Sequence, residues 1–182
     1  MRNTLLVLGG LLVLHVGASR LYAVDDHAMP MERAAPAELA TLRDFAAILV
    51  EGDFVLEVVQ GAEYSVEFAP PNPGAGRFYA AVRDNTLQLG GIGNVPGSRA
   101  RVTLPELRKL NVVQVQALSV SGFEGETLSV EAERVDRITL KNNRVREWQI
   151  RAERVPDLEI DRASIGAGKL DLSGRATLTV ID

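Results

Sequence analysis

The chain has 182 residues, 20 of them basic and 24 acidic, for a formal net charge of −4; 46% are hydrophobic and 24% charged. This is enough chain for one domain with a real core. The composition excludes disorder, and the charge gives nucleic acid or an anionic membrane nothing to be drawn to. There is no cysteine, so disulfides, thiolate metal sites, cysteine nucleophiles and lipid attachment to an N-terminal cysteine are all excluded.

The first element is an export signal. Arg2 precedes "LLVLGGLLVLHV", Leu5 to Val16, a run of about a dozen residues where a membrane span needs roughly 20. It closes on the small residues Val16-Gly17-Ala18, the pattern of a cleavage site. Residues 1–23 are therefore read as a signal peptide cut after Ala18 or Ala23, leaving no stable membrane span; an uncleaved anchor or a buried helix is the alternative. Residues 24–42, opening "VDDHAMPMERAAPAELA", are small, polar and proline-containing and read as a linker. Asp25, Asp26 and His27 are adjacent, but neighbours in a tail do not converge as metal ligands must, so they read as solvated.

From residue 43 to 182 the chain reads as strand after strand. "AAILVEGDFVLEVVQGAEYSVEFAPP" holds three short runs separated by Gly52 and Gly61. Val55, Glu57 and Val59 alternate with Phe54, Leu56 and Val58, a mixture that predicts partial burial on both faces. Tyr64, Val66 and Phe68 alternate with Ser65 and Glu67, predicting one wet face. "PPNPGAG" (Pro70 to Gly76) is a loop, since its prolines lack the N–H a sheet requires. Strands follow in "RFYAAVRDNTLQLGG", then the turn-rich "IGNVPGSRA", then "ARVTL" stopped by Pro105.

Beyond Leu118 an apolar pair returns every ten residues: Leu118/Val120, Leu128/Val130, Ile138/Leu140, Trp148/Ile150 and Leu158/Ile160. Val135, Val145, Val155 and Ile165 fall five residues after four of the pairs. On a helix, successive gaps of 2, 5 and 3 would scatter these residues to about 0°, 200°, 340° and 280°, which is no face. On one long strand the odd gaps would turn some of them to water. Short strands joined by corners place all of them inside, and a chain of such units must coil. The spacing slips to Leu170/Leu172 and recovers at Leu178/Val180, which sets the period at about twenty. Opposite charges at that spacing agree: Glu131/Arg151, Lys141/Asp161, Glu124/Arg144, Glu126/Arg146 and Arg137/Asp157. Glu133/Glu153 and Arg134/Arg154 break the pattern unless each glutamate pairs with the adjacent arginine. The expected fold is all-β: a single-domain, right-handed parallel β-helix-like solenoid with about 20-residue rungs, its hand inferred from the chirality of parallel crossovers.

Three segments in this order resemble the head GIN domain of the auto-transporter adhesins, a bacterial family. They are "FAAILVEGDFVLEVVQGAEYSVEF", "DNTLQLGG" and "RVTLPELRKLNV", the last followed by repeated apolar pairs. The resemblance covers residues 43–182 and implies an exported β-helical domain with no established chemistry. Where such coils carry "SGSG"-like corners, this chain has only "VSGFEG" and "IGAG", with charged corners such as "AERV" and "NNRV" elsewhere. Asp182 follows the last strand directly, so a translocating barrel is not expected to follow.

Catalytic patterns are sparse. No histidine lies in residues 43–182, which removes a Ser-His-Asp triad and a histidine metal site. "GGIGNVPG" has no helix pattern after it to cradle a phosphate, and "GAGKLDLSG" occurs once, where a calcium-binding repeat would recur. A sugar-cleaving pair drawn from Glu159, Asp161 and Asp171 is the remaining enzymatic option, but outward carboxylates on such a fold are ordinarily solvated surface. Trp148 reads as core filler in preference to a sugar platform, and Asn142-Asn143 as a structural corner. The sequence thus describes an exported, non-enzymatic module of the periplasm or cell exterior, without cofactor or metal, whose partner is a glycan or an envelope protein. A polysaccharide-acting enzyme and a structural or sensor-linked periplasmic partner are the alternatives.

Overall fold

The computed structural model describes residues 39, 41–70, 77–92, 97–161, 164 and 167–181. The leader, the metal-like Asp25-Asp26-His27 and most of the linker and of the Pro70–Gly76 loop lie outside these residues. Residues 32–182 form one compact unit.

Every element described is a β-strand. The first three are β1 (Ala47–Glu51), β2 (Val55–Gln60) and β3 (Ser65–Ala69), broken where Gly52 and Gly61 predict. Then come β4 (Arg77–Arg83), β5 (Thr86–Ile92) and β6 (Arg99–Leu104), the last ending before Pro105. The remainder are β7 (Lys109–Val113), β8 (Ala117–Ser121), β9 (Glu124–Glu133), β10 (Arg137–Lys141), β11 (Arg144–Glu153), β12 (Asp157–Asp161), β13 (Ala167–Ser173) and β14 (Leu178–Ile181). They make two mixed seven-stranded sheets. One runs β13-β11-β9-β7-β1-β5-β4 and the other β14-β12-β10-β8-β2-β6-β3.

From β7 onward the chain alternates between the two sheets. Each strand lies parallel to the one twenty residues away, as Leu110 beside Val130, Val130 beside Ile150, and Leu118, Ile138, Leu158 and Leu178 in one row. Residues of one row share a face, because the pleat alternates and the register does not slip. The inward rows are the apolar pairs of the sequence: Leu118, Val120, Leu128, Val130, Ile138, Leu140 and Leu158 are essentially inaccessible. They join residues of both sheets in one apolar core, each such side chain contributing about 1.5–3 kcal/mol on burial.

The corners repeat with the same period. Gln114, Arg134, Arg154 and Gly174 all have positive φ (56–76°). The N–H groups of Gln114, Arg134 and Arg154 donate to the carbonyls of Glu133, Glu153 and Ser173 at 2.9–3.0 Å. Bonding between neighbouring passes therefore continues through the turn. Valine follows at three of the corners, and Val115, Val135 and Val155 are buried. Val145 occupies a different place, inside β11 beside Gly125 of β9.

Three expectations change. First, the halves of the repeat are unequal: β9 and β11 have ten residues, β10 and β12 five. Second, there is no slip at Leu170. Trp148 lies beside Gly168, Ile150 beside Leu170 and Ala152 beside Leu172, so the offset remains twenty. The apparent jump arises because Gly168 takes the place of a large residue, and it must: a Cβ there would lie 2.7 Å from the Cβ and O of Trp148. Third, the sheets are not wholly parallel, and chain order is not stacking order. The β1–β2 pass sits between β5–β6 on one side and β7–β8 on the other, with Ala47 beside both Thr86 and Lys109. Strands β3 and β4 then run antiparallel along the outer edges of β6 and β5. They are themselves the outermost strands at this end of the two sheets. Phe54, Phe68 and Phe78 pack together there, Phe68 and Phe78 stacked at 4.5 Å.

Replacing Ile138 with Asp, which places an unpaired charge at a fully buried site, is expected to cost several kcal/mol or to unfold the protein. Replacing the exposed Gln149 with Asp should shift stability by no more than about 0.5 kcal/mol. Urea denaturation of both variants measures the difference.

Candidate binding surface

Outward residues also form rows. On the sheet containing β13, one row is Lys109, Ser129, Gln149 and Lys169 and the next is Asn111, Glu131, Arg151 and Asp171. On the other sheet a row runs Arg101, Glu57, Ser119, Thr139, Glu159 and Thr179. Both walls are polar and of mixed charge.

Most of that charge is internally paired. Arg137 meets Asp157 at 2.7 Å, Arg144 meets Glu124 at 3.2 Å and Arg146 meets Glu126 at 3.0 Å, all three as the twenty-residue spacing predicts. Arg154 joins Glu133 at 2.7 Å and Glu153 at 3.3 Å, and Arg134 joins Glu133 at 3.6 Å; the adjacent glutamates do relieve the like-charge rows. Two expected pairs differ. Lys141 turns to Glu159 at 3.6 Å, because Asp161 is engaged at a corner. Glu131 and Arg151 are neighbours in register, yet no ion pair forms at Arg151 among the described residues. Exposed pairs of this kind are worth about 0–1 kcal/mol each, so they set the surface pattern more than they hold the fold.

Around Arg151 the wall dips. Glu131, Gln149, Ile150, Arg151, Lys169 and Asp171 line a depression of about 130 Å³. It presents donors from Gln149, Arg151 and Lys169 beside carboxylates from Glu131 and Asp171. Arg151 was legible only as an ion-pair member; reading the outward rows at twenty-residue spacing would have placed Gln149, Arg151, Lys169 and Asp171 together.

The corner at Asn142-Asn143 is structural, as expected. Asn142 has φ +56°. Asn143 is fully buried; its Oδ1 accepts from the Phe123 N–H, its Nδ2 donates to the Val120 carbonyl, and its own N–H donates to Ser164 Oγ, at 2.9–3.0 Å. Asp161 completes the set, accepting from the N–H of Asn142 and of Ser164. Desolvation raises the Asp161 pKa, but the hydrogen bonds from Asn142 and Ser164 and the charge of Lys141 outweigh it and hold the carboxyl below its ordinary value.

That arrangement bears on the carboxylate pair. Asp161 is stabilised as an anion, the opposite of what a general acid requires. Glu159 engages Lys141. Asp171 stands on β13, in the other sheet from β12, so the fold does not bring it beside Glu159 and Asp161. Trp148 is 6% exposed and lies in the inward row between Leu128 and Gly168, a core position that gives sugar no face to stack on. Among the described residues, no three acidic, histidine or cysteine side chains converge to hold a metal, and no helix is long and apolar enough to cross a membrane.

Residues 44–182 match the family model described as "Putative auto-transporter adhesin, head GIN domain". The chain belongs to this family. The match takes in every strand of the GIN domain described above, and it agrees with the resemblance carried by the three sequence segments. No curated protein matches the chain.

Because Asp161 is held below its ordinary 3.8, it adds stability above that pH and loses it as pH falls through the folded-state value. Asp161→Asn should melt at a lower temperature than the wild type near pH 6, and the gap should narrow as the pH falls below 3.8. Thermal melts across that range measure it.

Proposed function

We propose that the chain is an exported, non-catalytic binding module of the bacterial envelope, adhesin-like in action, whose ligand is a glycan. In this reading the leader is removed after Ala18 or Ala23, residues 24–42 act as a tether, and the β7–β14 part of the GIN domain is a right-handed parallel β-solenoid with rungs of about twenty residues. The constant offset of twenty between β7 and β14 supports the solenoid. Family membership supports export and an adhesin-like role; that is support by kinship, and the site must carry the rest.

The observation that carries the glycan reading is the depression around Arg151. Its guanidinium has no ion-pair partner among the described residues, and Gln149 and Lys169 add donors while Glu131 and Asp171 add acceptors. Sugar hydroxyls both donate and accept, so alternating donors and acceptors suit them, and an unpaired guanidinium suits a carboxylate-bearing sugar.

The test is a glycan array probed with the exported protein, followed by calorimetry on what binds. Acidic or heavily hydroxylated glycans should bind, and Arg151→Ala and Gln149→Ala should each weaken binding about tenfold or more without changing the melting temperature. Retention of an envelope protein instead, with no glycan bound, would favour a protein partner and contradict the glycan assignment.

A further inference from the structure

The two ends of the strand stack are unlike. At one, the inward side of the outermost strands is covered: Val66 is buried, with Phe68 and Phe78 packed against the core. At the other stand β13 and β14, which like β3 and β4 pair on one side only among the described residues. Their inward residues continue the core rows, but these rows now meet solvent: Leu170 is 38% exposed, Leu178 41% and Val180 48%, where Ile150 and Leu158 in the same rows are at 4% and 0%. Unpaired backbone and exposed core residues coincide at this end, the combination that invites strand addition.

We propose that this open end is the interface of a twofold dimer, in which β13 pairs antiparallel with β13 of a second copy about an axis through Leu170. The sequence of β13 selects the occupant and the register. A twofold axis normal to the sheets reverses strand direction, so each sheet continues into the same sheet of the partner as an antiparallel pair. With the axis at Leu170, residues 169 and 171 face each other across the interface twice. Lys169 then meets the partner's Asp171, and Asp171 the partner's Lys169. Both face outward, because they stand in the rows of Gln149 and Arg151. On the inward side Leu170 meets its own copy and Leu172 meets the partner's Gly168.

No neighbouring register does this. An axis at Lys169 or at Asp171 sets like charges face to face. An axis between residues opposes inward with outward side chains. An axis at Leu172 leaves Lys169 with no counter-charge. Self-complementary charge about one residue is a property of an isologous contact, in which the same patch serves both partners. The strand of an unrelated protein would have no reason to require it.

The experiment uses the full chain purified from exporting cells, followed by sedimentation velocity over a range of concentrations. The wild type should dimerise. Lys169→Asp and Asp171→Lys, both at exposed positions, should each raise the dimer dissociation constant about tenfold or more by opposing like charges twice. The double charge swap K169D/D171K should restore the dimer towards wild type, with circular dichroism confirming that all variants remain folded. A wild type monomeric at every concentration, single variants that dimerise as well as wild type, or a swap that fails to restore association would each overturn the proposal. A monomer that takes up a strand of another protein would do the same. Loss of glycan binding in the Arg151 variant with dimerisation intact would leave this interface standing.

Discussion

The structure depends on one constraint: the backbone hydrogen bonds between strands twenty residues apart must hold a single register. Side chains on a strand alternate faces, so one residue of slip would send every inward leucine and valine to solvent and every charged neighbour into the core. The repeating apolar pairs make that register costly to leave. The corners hold it independently, since the N–H groups of Gln114, Arg134 and Arg154 bond to carbonyls of the next pass, and the buried side chain of Asn143 accepts from the Phe123 N–H and donates to the Val120 carbonyl of the preceding pass. Arginine gains nothing intrinsic from a left-handed backbone, a conformation that costs a non-glycine residue of order 1 kcal/mol. Its use at two successive corners shows how strongly the ladder dictates the turn.

The same register writes the surface. Once inward rows are fixed, outward residues must also stack, and like charges stacked at strand spacing would repel. The chain answers with opposite charges twenty residues apart, at Arg137/Asp157, Arg144/Glu124 and Arg146/Glu126. Where like residues do stack, Glu133 and Glu153 turn to Arg134 and Arg154. The result is a wall whose charge is largely spent internally. Arg151 stands in register with Glu131 but outside that network, and Lys169 and Asp171 beside it are likewise outside it among the described residues.

Much of this was legible in the sequence, and the limits have physical causes. Short-range repetition announces itself: Leu118, Ile138, Leu158 and Leu178 are visible as a row because each pass is built like the last. Non-repeating contacts leave no such mark. Nothing local shows that β1 lies between β5 and β7, because Ala47 meets Lys109 across two hairpins' worth of chain. Nor does local sequence distinguish β3 and β4 as antiparallel covers. Gly168 misled the spacing because a row position can be filled by absence as well as by a leucine, here to accommodate the backbone and Cβ of Trp148. The positive φ of Arg134 and Arg154 was unreadable, arginine being no turn residue. The depression at Arg151 needed both the register and the pairing of every neighbouring charge.

The measurement closest to the central claim is a set of spin-label distances along one outward row. The chain has no cysteine, so two can be introduced without interference. Arg101, Thr139, Glu159 and Thr179 stand in one row, with Glu57 and Ser119 between the first two. With one label kept at position 101 and the second moved through 139, 159 and 179, the Cα separation should grow by one strand spacing per step, through about 14, 19 and 24 Å. Even growth of that size is the signature of parallel passes in a constant twenty-residue register. Distances that stay level, reverse or jump between the three positions would contradict it.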